Sequence, residues 1–230
     1  EQGATSDEVF ANFRAMNHGK MKKNFVYRGA SPIDNKHNRA PVADRLIKKN
    51  EIKYIVDLAD SDEEIIEFSQ KSDFNSPYFM SLYNEKKVSV LSMSVQYKGQ
   101  DFSNKLVKGL TEMASNDGPY YIHCQEGKDR TGFVCMVVGA LAGASYDELE
   151  NDYMITYNNY CGIKEEQSKE SYDLIKKQNI DGMIAYMTGE SDVTKFSNID
   201  MSKSSTEFLV KLGMSVDKVE LLKSKIVENK

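Results

Sequence analysis

Residues 123–132 bring a thiol, a guanidinium and two glycines into one short stretch, His-Cys-Gln-Glu-Gly-Lys-Asp-Arg-Thr-Gly. A loop of successive backbone N–H groups in front of a helix forms a concave anion site. Gly127 permits the positive φ or the close approach that such a loop needs. Cys124 would lie at the mouth of the loop, where the amides and the helix dipole stabilise a thiolate near neutral pH. The stretch therefore predicts a phosphate site with a sulfur nucleophile.

The neighbouring side chains suit the transfer of a phosphoryl group. Arg130 presents a planar fork that can hold two phosphoryl oxygens, and Lys128 adds a second positive charge. We expect Cys124 to accept the phosphoryl group from a monoester and water then to release it, with no cofactor and no metal ion. Thr131 is expected to hydrogen-bond the departing thiolate. His123 is expected to orient the loop through main-chain hydrogen bonds rather than to transfer protons.

The candidates for substrate binding are the remaining residues of the loop and one arginine earlier in the chain: Gln125, Glu126, Gly127, Lys128 and Arg28. Phosphate or sulfate should also fit such a loop. For Arg28, substrate binding and an ion pair with an acid are equally compatible with the sequence.

Two aspartates are candidates for the general acid that protonates the leaving oxygen. Asp57 is preferred because it ends a predicted buried strand; if that strand runs parallel to residues 120–123, both strand ends open on the same edge of the sheet. Asp129 is the rival, although the adjacent arginine would hold it ionised and make it a poorer acid. Asp60 and Asp62 are held in reserve, with a solvated loop face as their alternative interpretation.

The elements that would position these residues follow from hydrophobic periodicity. Short apolar, β-branched or aromatic runs predict strands at residues 25–27, 52–58, 78–83 and 120–123. Helical spacing predicts helices at residues 40–50, 101–115, 132–142, 172–187 and 216–227, with Ser205 and Thr206 capping a turn at 207–212. The pattern predicts an α/β fold in which a central, mostly parallel sheet is flanked by helices and the C-terminal half is helical.

We expect a single domain over residues 1–230, made of an N-terminal segment (1–24), a sheet-containing core (25–144) with the loop at 123–132, and a helical part (145–230). The net charge of −5 argues against a general nucleic-acid binder. No apolar run approaches the roughly 20 residues that span a bilayer, so no integral membrane segment is expected. The chain begins Glu-Gln-Gly rather than with Met, which suggests a removed targeting segment and leaves secretion open.

The three cysteines are an odd number in a chain too long to need disulfide staples. Cys135 lies on the predicted apolar helix and is expected in the core, whereas Cys161 ends a Tyr-rich helical stretch. The sequence has no dinucleotide fingerprint, Walker loop, His-Glu-x-x-His or Cys-x-x-Cys motif. Metal hydrolases and redox enzymes are therefore disfavoured.

The stretch at residues 123–132 resembles the cysteine-dependent tyrosine phosphatase superfamily, whose signature is His-Cys-x5-Arg-Ser/Thr. Within that superfamily, Gly-Lys-Asp-Arg-Thr-Gly is most similar to bacterial tyrosine phosphatases with mixed phosphotyrosine and phosphoinositide activity. Further stretches that resemble the same family lie at residues 12–14, 27–29, 55–58 and 208–215. Two positions depart from its pattern, since Ala15 stands where relatives have Asp and Ala59 where they have Arg.

The resemblance implies a tyrosine-phosphatase-like fold and a phosphomonoester hydrolase that acts on phosphotyrosine protein, on phosphoinositides or on both. It also places the family's candidate acid at Asp57. One alternative uses the same loop in an inositol-phosphate, phytase-like phosphatase, which a deep, Lys-lined pocket would favour. The other is a catalytically weak phosphate-binding module, which loss of a usable acid would produce.

Overall fold

The computed structural model describes residues 5–229. Its strands, numbered in chain order, are β1 (Arg14–Ala15), β2 (Val26–Gly29), β3 (Tyr54–Asp57), β4 (Val88–Val90) and β5 (Tyr120–His123). They form a five-stranded sheet in the order β1-β2-β5-β3-β4. The β1 and β2 pair is antiparallel and the other three pairs are parallel. The prediction of an α/β fold with a mostly parallel sheet is confirmed.

Helices fill the connections between the strands and most of the chain after β5. They are α1 (Asp7–Phe10), α2 (Ala40–Lys49), α3 (Asp62–Ser69), α4 (Pro77–Asn84), α5 (Gln100–Ala114), α6 (Asp129–Leu141), α7 (Tyr146–Cys161), α8 (Lys169–Gln178), α9 (Ile180–Thr188), α10 (Met201–Lys211) and α11 (Val216–Ile226). A 3₁₀ helix, Val193–Asn198, joins α9 to α10. The second half of the chain is therefore helical, as the sequence predicts.

The sheet is buried on both faces. Along β5, Tyr120 and Ile122 pack into the larger apolar cluster, which includes residues of α5 and α6. Tyr121, which points to the opposite face, packs into the smaller cluster with residues of α2 and α4. Because both faces are covered, the central strands β2, β3 and β5 are buried along their whole length rather than at alternate residues.

The register of the sheet brings three strand ends to one edge. Asp57 at the end of β3 and Gly29 at the end of β2 both pair with His123, the last residue of β5. The parallel arrangement of β3 and β5, on which the preference for Asp57 as an acid depends, is therefore present. The connection that follows β5 starts between the ends of its two neighbours, the usual position of a site in a parallel sheet.

The strand predicted at residues 78–83 is wrong, because these residues form α4. A short apolar run fits either a strand or a helix, and two local features favour the helix here. Pro77 occupies the first turn of α4, where its missing N–H costs no hydrogen bond. The carboxylate of Asp44 accepts the N–H groups of Tyr78 (3.2 Å) and Phe79 (2.7 Å), which caps the same turn.

Two predicted boundaries in the helical half are also wrong. Ser205 and Thr206 lie inside α10, which begins earlier because Asp200 accepts the N–H of Lys203 (3.1 Å) and caps it. The helix predicted at residues 172–187 is interrupted at Asn179, where the backbone leaves the helical region and α8 gives way to α9.

Within residues 5–229, no helix combines the length and the apolar character that a membrane span requires. Glu1, Gln2 and Gly3, on which the expectation of a removed targeting segment rests, lie outside the described residues.

Candidate active site

The candidate phosphate loop comprises residues 124–128 and joins β5 to α6. Gly127 has a φ of +71°, a left-handed conformation that strains any residue with a Cβ. A Cβ at this position would also collide with the carbonyl group of Gly29, at the end of β2. Glycine is therefore required at position 127 by the backbone conformation and by the close approach of the neighbouring strand.

The carbonyl groups of the loop point away from its centre. Three in succession accept hydrogen bonds from outside the loop: Gln125 O from the Ser31 N–H (3.0 Å), Glu126 O from the Tyr160 hydroxyl (2.6 Å), and Gly127 O from Arg28 (3.0 Å) and Asn12 (3.2 Å). In a trans peptide the N–H points opposite to the C=O, so the following N–H groups point into the loop. In the part of the chain that the structure describes, the N–H groups of residues 125–131 have no acceptor. The arrangement is that of an anion cradle.

The predicted nucleophile, guanidinium and hydroxyl all belong to this cradle or to the first turn of α6. Cys124, at its start, is 3% exposed. Arg130 is half-buried, and its guanidinium donates one hydrogen bond, to Met93 O (3.1 Å). Thr131 is fully buried, and its hydroxyl has no hydrogen-bond partner among the described residues. Two of these side chains thus keep donors available for a bound group.

Side chains of both charges line the mouth of the loop. The contacts there are Gln125 Nε2 with Asp34 Oδ2 (3.3 Å), Glu126 Oε1 with His37 Nε2 (3.3 Å), and Lys128 Nζ over the Tyr157 ring (5.6 Å to its centre). Lys128 is the single lysine of residues 123–132. The loop itself therefore contributes one lysine to its surroundings.

Asp57, Asp60 and His123 form a buried acid cluster beside the start of the loop. Asp57 Oδ1 accepts the N–H groups of Ala59 (3.0 Å) and Asp60 (3.1 Å), and its Oδ2 lies 3.7 Å from His123 Nε2. Burial raises the pKa of Asp57 to about 7, and burial together with the charge of Asp57 raises the pKa of Asp60 to about 9. Burial lowers the pKa of His123, so its ring is neutral at neutral pH. The cluster therefore keeps Asp60 protonated at neutral pH.

His123 also contacts the loop itself. Its Nδ1 lies 2.8 Å from Cys124 O, and the side chain is fully buried. The backbone N–H of Leu58 donates to the carbonyl of His123 (2.9 Å). From the sequence, His123 is expected to orient the loop through main-chain hydrogen bonds, and these contacts are of that kind.

Access to solvent separates the two candidate acids. Asp57 is 0% exposed, and its oxygens face backbone amides and an imidazole. Asp129 is exposed and is the first residue of α6, directly after the loop. An acid must come within hydrogen-bond reach of the leaving oxygen, so the exposure of Asp129 and the burial of Asp57 bear on which of the two serves as the acid.

The two reserve aspartates differ in their surroundings. The interpretation of Asp60 as part of a solvated loop is wrong, because only 3% of the residue is exposed. Asp62 is exposed in the first turn of α3, where its carboxylate accepts the hydroxyl of Tyr83 (2.6 Å). Asp62 therefore matches the solvated interpretation.

An ion triad lies behind the loop. Arg28 NH1 and Arg14 Nε each bind one oxygen of Asp152, a residue of α7, at 2.8 Å. Burial raises the pKa of this carboxyl, but the two guanidinium groups outweigh burial and hold it well below its usual range. Burial lowers the pKa of Arg14, whereas in Arg28 the carboxylate outweighs burial and the pKa lies above its ordinary value. The triad therefore carries one positive charge in excess, and the ion-pair alternative is favoured for Arg28.

Sequence reasoning missed Asn12, Asp152 and Tyr160, which hold the loop from behind. Asn12 belongs to a stretch that the family resemblance singles out, without a role for its amide. Asp152, Thr156 and Tyr160 recur every four residues along α7, so they share one helix face. Polar residues at that spacing on an otherwise apolar helix face could have indicated that this face of α7 binds a polar part of the protein.

The two remaining cysteines lie as expected. Cys135 is buried on α6, and burial raises the pKa of its thiol to about 12. Cys161 ends α7 and is exposed. Neither lies in the loop.

Comparison with known proteins gives one family. A sequence model described as "Tyrosine phosphatase family" matches residues 10–228, nearly the whole chain. A search of curated proteins found no match.

Proposed function

Because the chain belongs to the tyrosine phosphatase family, we propose that this phosphatase hydrolyses phosphomonoesters at Cys124 through a thiophosphoryl-cysteine intermediate. The observation that carries the proposal is the run of N–H groups at residues 125–131, which have no acceptor among the described residues and of which those of residues 126–128 point into the loop. Such groups are costly unless an anion or water accepts from them. The three negatively charged oxygens of a phosphoryl group are suitable acceptors for such donors.

The chemical steps follow from the positions of the side chains. The Sγ of Cys124 attacks phosphorus, the bond from phosphorus to the ester oxygen breaks, and Asp129 donates a proton to that oxygen. Arg130 and the loop amides hold the equatorial oxygens, and they bind more strongly as charge redistributes in the transition state. Water then attacks phosphorus, Asp129 accepts its proton, and phosphate leaves. The hydroxyl of Thr131 donates a hydrogen bond to the released thiolate.

Phosphotyrosine protein is the substrate that we place first. Residues 123–132 carry the carboxyl groups of Glu126 and Asp129 beside one lysine, and Gln125 contacts a third carboxyl group, that of Asp34. A headgroup with several phosphates would meet these carboxylates and would need further cations, whereas a phosphotyrosine presents one phosphate. Phosphoinositides and free inositol phosphates are the competing substrates.

Hydrolysis of an activated aryl phosphate tests the nucleophile. Cys124→Ser should abolish turnover but retain binding of inorganic phosphate, because the amide cradle stays in place. The control is Cys161→Ser, since this exposed thiol lies outside the loop. Undiminished turnover by Cys124→Ser would refute the mechanism, and phosphate binding without turnover by the wild type would indicate a binding module instead.

The leaving group tests the acid. Asp129→Asn should lower turnover of phosphotyrosine by about 10² to 10⁴-fold and turnover of a nitrophenyl ester much less, because a good leaving group needs no proton. Asp57→Asn is the matched comparison and should affect both substrates alike. The opposite pattern would restore Asp57 as the acid.

Competition between substrates tests specificity. Phosphotyrosine peptides, phosphoinositide vesicles and inositol phosphates are compared by their kcat/KM values under one set of conditions. We expect the peptides to have the highest values; a preference for the inositol compounds would overturn the assignment.

A further inference from the structure

The Gly127 carbonyl is held by two buried side chains from the N-terminal part of the chain. It accepts from Arg28 NH2 at 3.0 Å and from Asn12 Nδ2 at 3.2 Å, and both residues are at most 1% exposed. The peptide between Gly127 and Lys128 must therefore present its N–H on the opposite side, inside the loop. The direction of one cradle amide thus depends on two residues that do not belong to the loop.

Arg28 can hold this carbonyl because it is fixed at its other end. Its NH1 lies 2.8 Å from Asp152 Oδ2. Asp152 is fixed in turn by Arg14, whose Nε binds Oδ1 at 2.8 Å and whose NH2 donates to the Asp152 carbonyl at 2.6 Å. A planar guanidinium can reach a carboxylate and a carbonyl in different directions, which an ammonium group cannot do with the same geometry.

The Asn12 amide is fixed just as firmly. Besides Gly127 O, its Nδ2 donates to Thr156 Oγ1 (2.9 Å), so both of its hydrogens are used. Its Oδ1 accepts from Arg14 NH1 (2.8 Å) and Asn159 Nδ2 (2.9 Å). An amide whose four hydrogen bonds are all made has one orientation only.

We infer that Asn12, Arg28 and Asp152 are positioning residues: they turn the Gly127–Lys128 peptide so that its N–H meets the bound phosphoryl group, and the excess positive charge of the triad with Arg14 lies behind the loop. This inference rests on the proposed function, since it concerns the same anion site. None of the three touches the substrate, so each acts through the loop. Replacing any of the three should therefore weaken phosphate binding more than replacing a buried, ion-paired acid that lies away from the loop.

Two substitutions test the cluster against a matched control. Arg28→Lys keeps the charge but loses the fork, and Asp152→Asn releases Arg28 from its anchor. The control is Asp181→Asn, because Asp181 is also buried and bound by a tyrosine hydroxyl (2.6 Å) and a lysine (3.4 Å), in α9 and without contact to the loop.

The measurements are the inhibition constant of inorganic phosphate, kcat and KM for an aryl phosphate, the rate of Cys124 alkylation by iodoacetate across pH, and unfolding in urea. Arg28→Lys and Asp152→Asn should weaken phosphate inhibition about tenfold or more, the equivalent of one charge-assisted hydrogen bond. They should also slow alkylation at neutral pH. Asp181→Asn should lower stability and leave phosphate inhibition and alkylation unchanged.

Wild-type phosphate inhibition in folded Arg28→Lys would overturn the inference. Should Arg28→Lys not fold, Asn12→Ala decides instead. It removes the second donor to Gly127 O and keeps both ion pairs of Asp152, although Arg14 loses its hydrogen bond to Asn12 Oδ1. It should weaken phosphate binding severalfold, and unchanged binding would overturn the inference. Absence of phosphate binding and turnover in the wild type itself would refute the proposed function, a result distinct from either.

Discussion

Replacement of Asp60 by Asn should stabilise this protein, and the gain should grow with pH. Asp60 is 3% exposed, its Oδ2 has no hydrogen-bond partner among the described residues, and burial beside Asp57 raises its pKa from an ordinary value of 3.8 to about 9. The folded protein therefore keeps a proton that the unfolded chain releases above about pH 4. Asparagine is neutral at every pH, so the variant has no such proton to keep or release.

The sign and the magnitude follow from proton linkage. A carboxyl whose folded pKa is raised costs no stability below its unfolded pKa, and the cost grows as pH rises toward the folded pKa. The slope is about 1.4 kcal/mol per pH unit for one proton. Between about pH 4 and pH 7.5 the free energy of unfolding of the wild type should therefore fall, relative to Asp60→Asn, by on the order of 4 kcal/mol.

Urea unfolding of both proteins at several pH values measures this difference. The two free energies should be close near pH 4 and separate steadily up to about pH 9, the folded pKa of Asp60. Asp217→Asn is the control, because Asp217 is exposed on α11 and its replacement should leave the pH dependence unchanged. A difference between wild type and Asp60→Asn that does not vary with pH would refute the claim that the folded carboxyl is protonated.

Two further predictions concern the supports of the loop. Gly127→Ala should abolish phosphate binding, because the added Cβ collides with Gly29. The control is Gly143→Ala: Gly143 also has a positive φ (+81°), but a Cβ there meets nothing within 4 Å, so the substitution should cost only about 1 kcal/mol of stability. Equal phosphate binding by the two variants, measured by calorimetry, would contradict the steric argument. Tyr160→Phe removes the donor to Glu126 O (2.6 Å) and should reduce kcat/KM for an aryl phosphate severalfold, while Tyr172→Phe, which loses a hydroxyl bond to Glu150 (2.8 Å), should not. Full activity of Tyr160→Phe would show that this bond does not shape the loop.

The sequence predicts the central part of the site because its information is local. Residues 120–141 contain a strand, a glycine-dependent loop and a helix in immediate succession, so their relative geometry needs no knowledge of the rest of the fold. The position of Asp57 beside His123 was also predictable, because parallel strands end on one edge. The structure has the parallel pairing on which that placement depended.

Sequence patterns do not report how deeply a side chain is buried or which distant residues it contacts. Whether the end of β3 is open or covered decides if Asp57 can reach a substrate, and periodicity does not report that depth. Asp152 contacts Arg28 across 124 residues of chain, a pairing that no local pattern contains. The helix at Pro77–Asn84 was misassigned for a similar reason, since its cap, Asp44, lies far upstream.

The supports of the loop come from both sides of it along the chain, and this bears on how the protein is made. Asn12 and Arg28 leave the ribosome before Cys124, but Asp152 and Tyr160 leave after it. A nascent polypeptide that has exposed residues 5–144 carries the thiol and the guanidinium without half of their scaffold. Competence to bind phosphate should therefore arise only once α7 has emerged, and a fragment that stops short of α7 should contain every signature residue and still be inert.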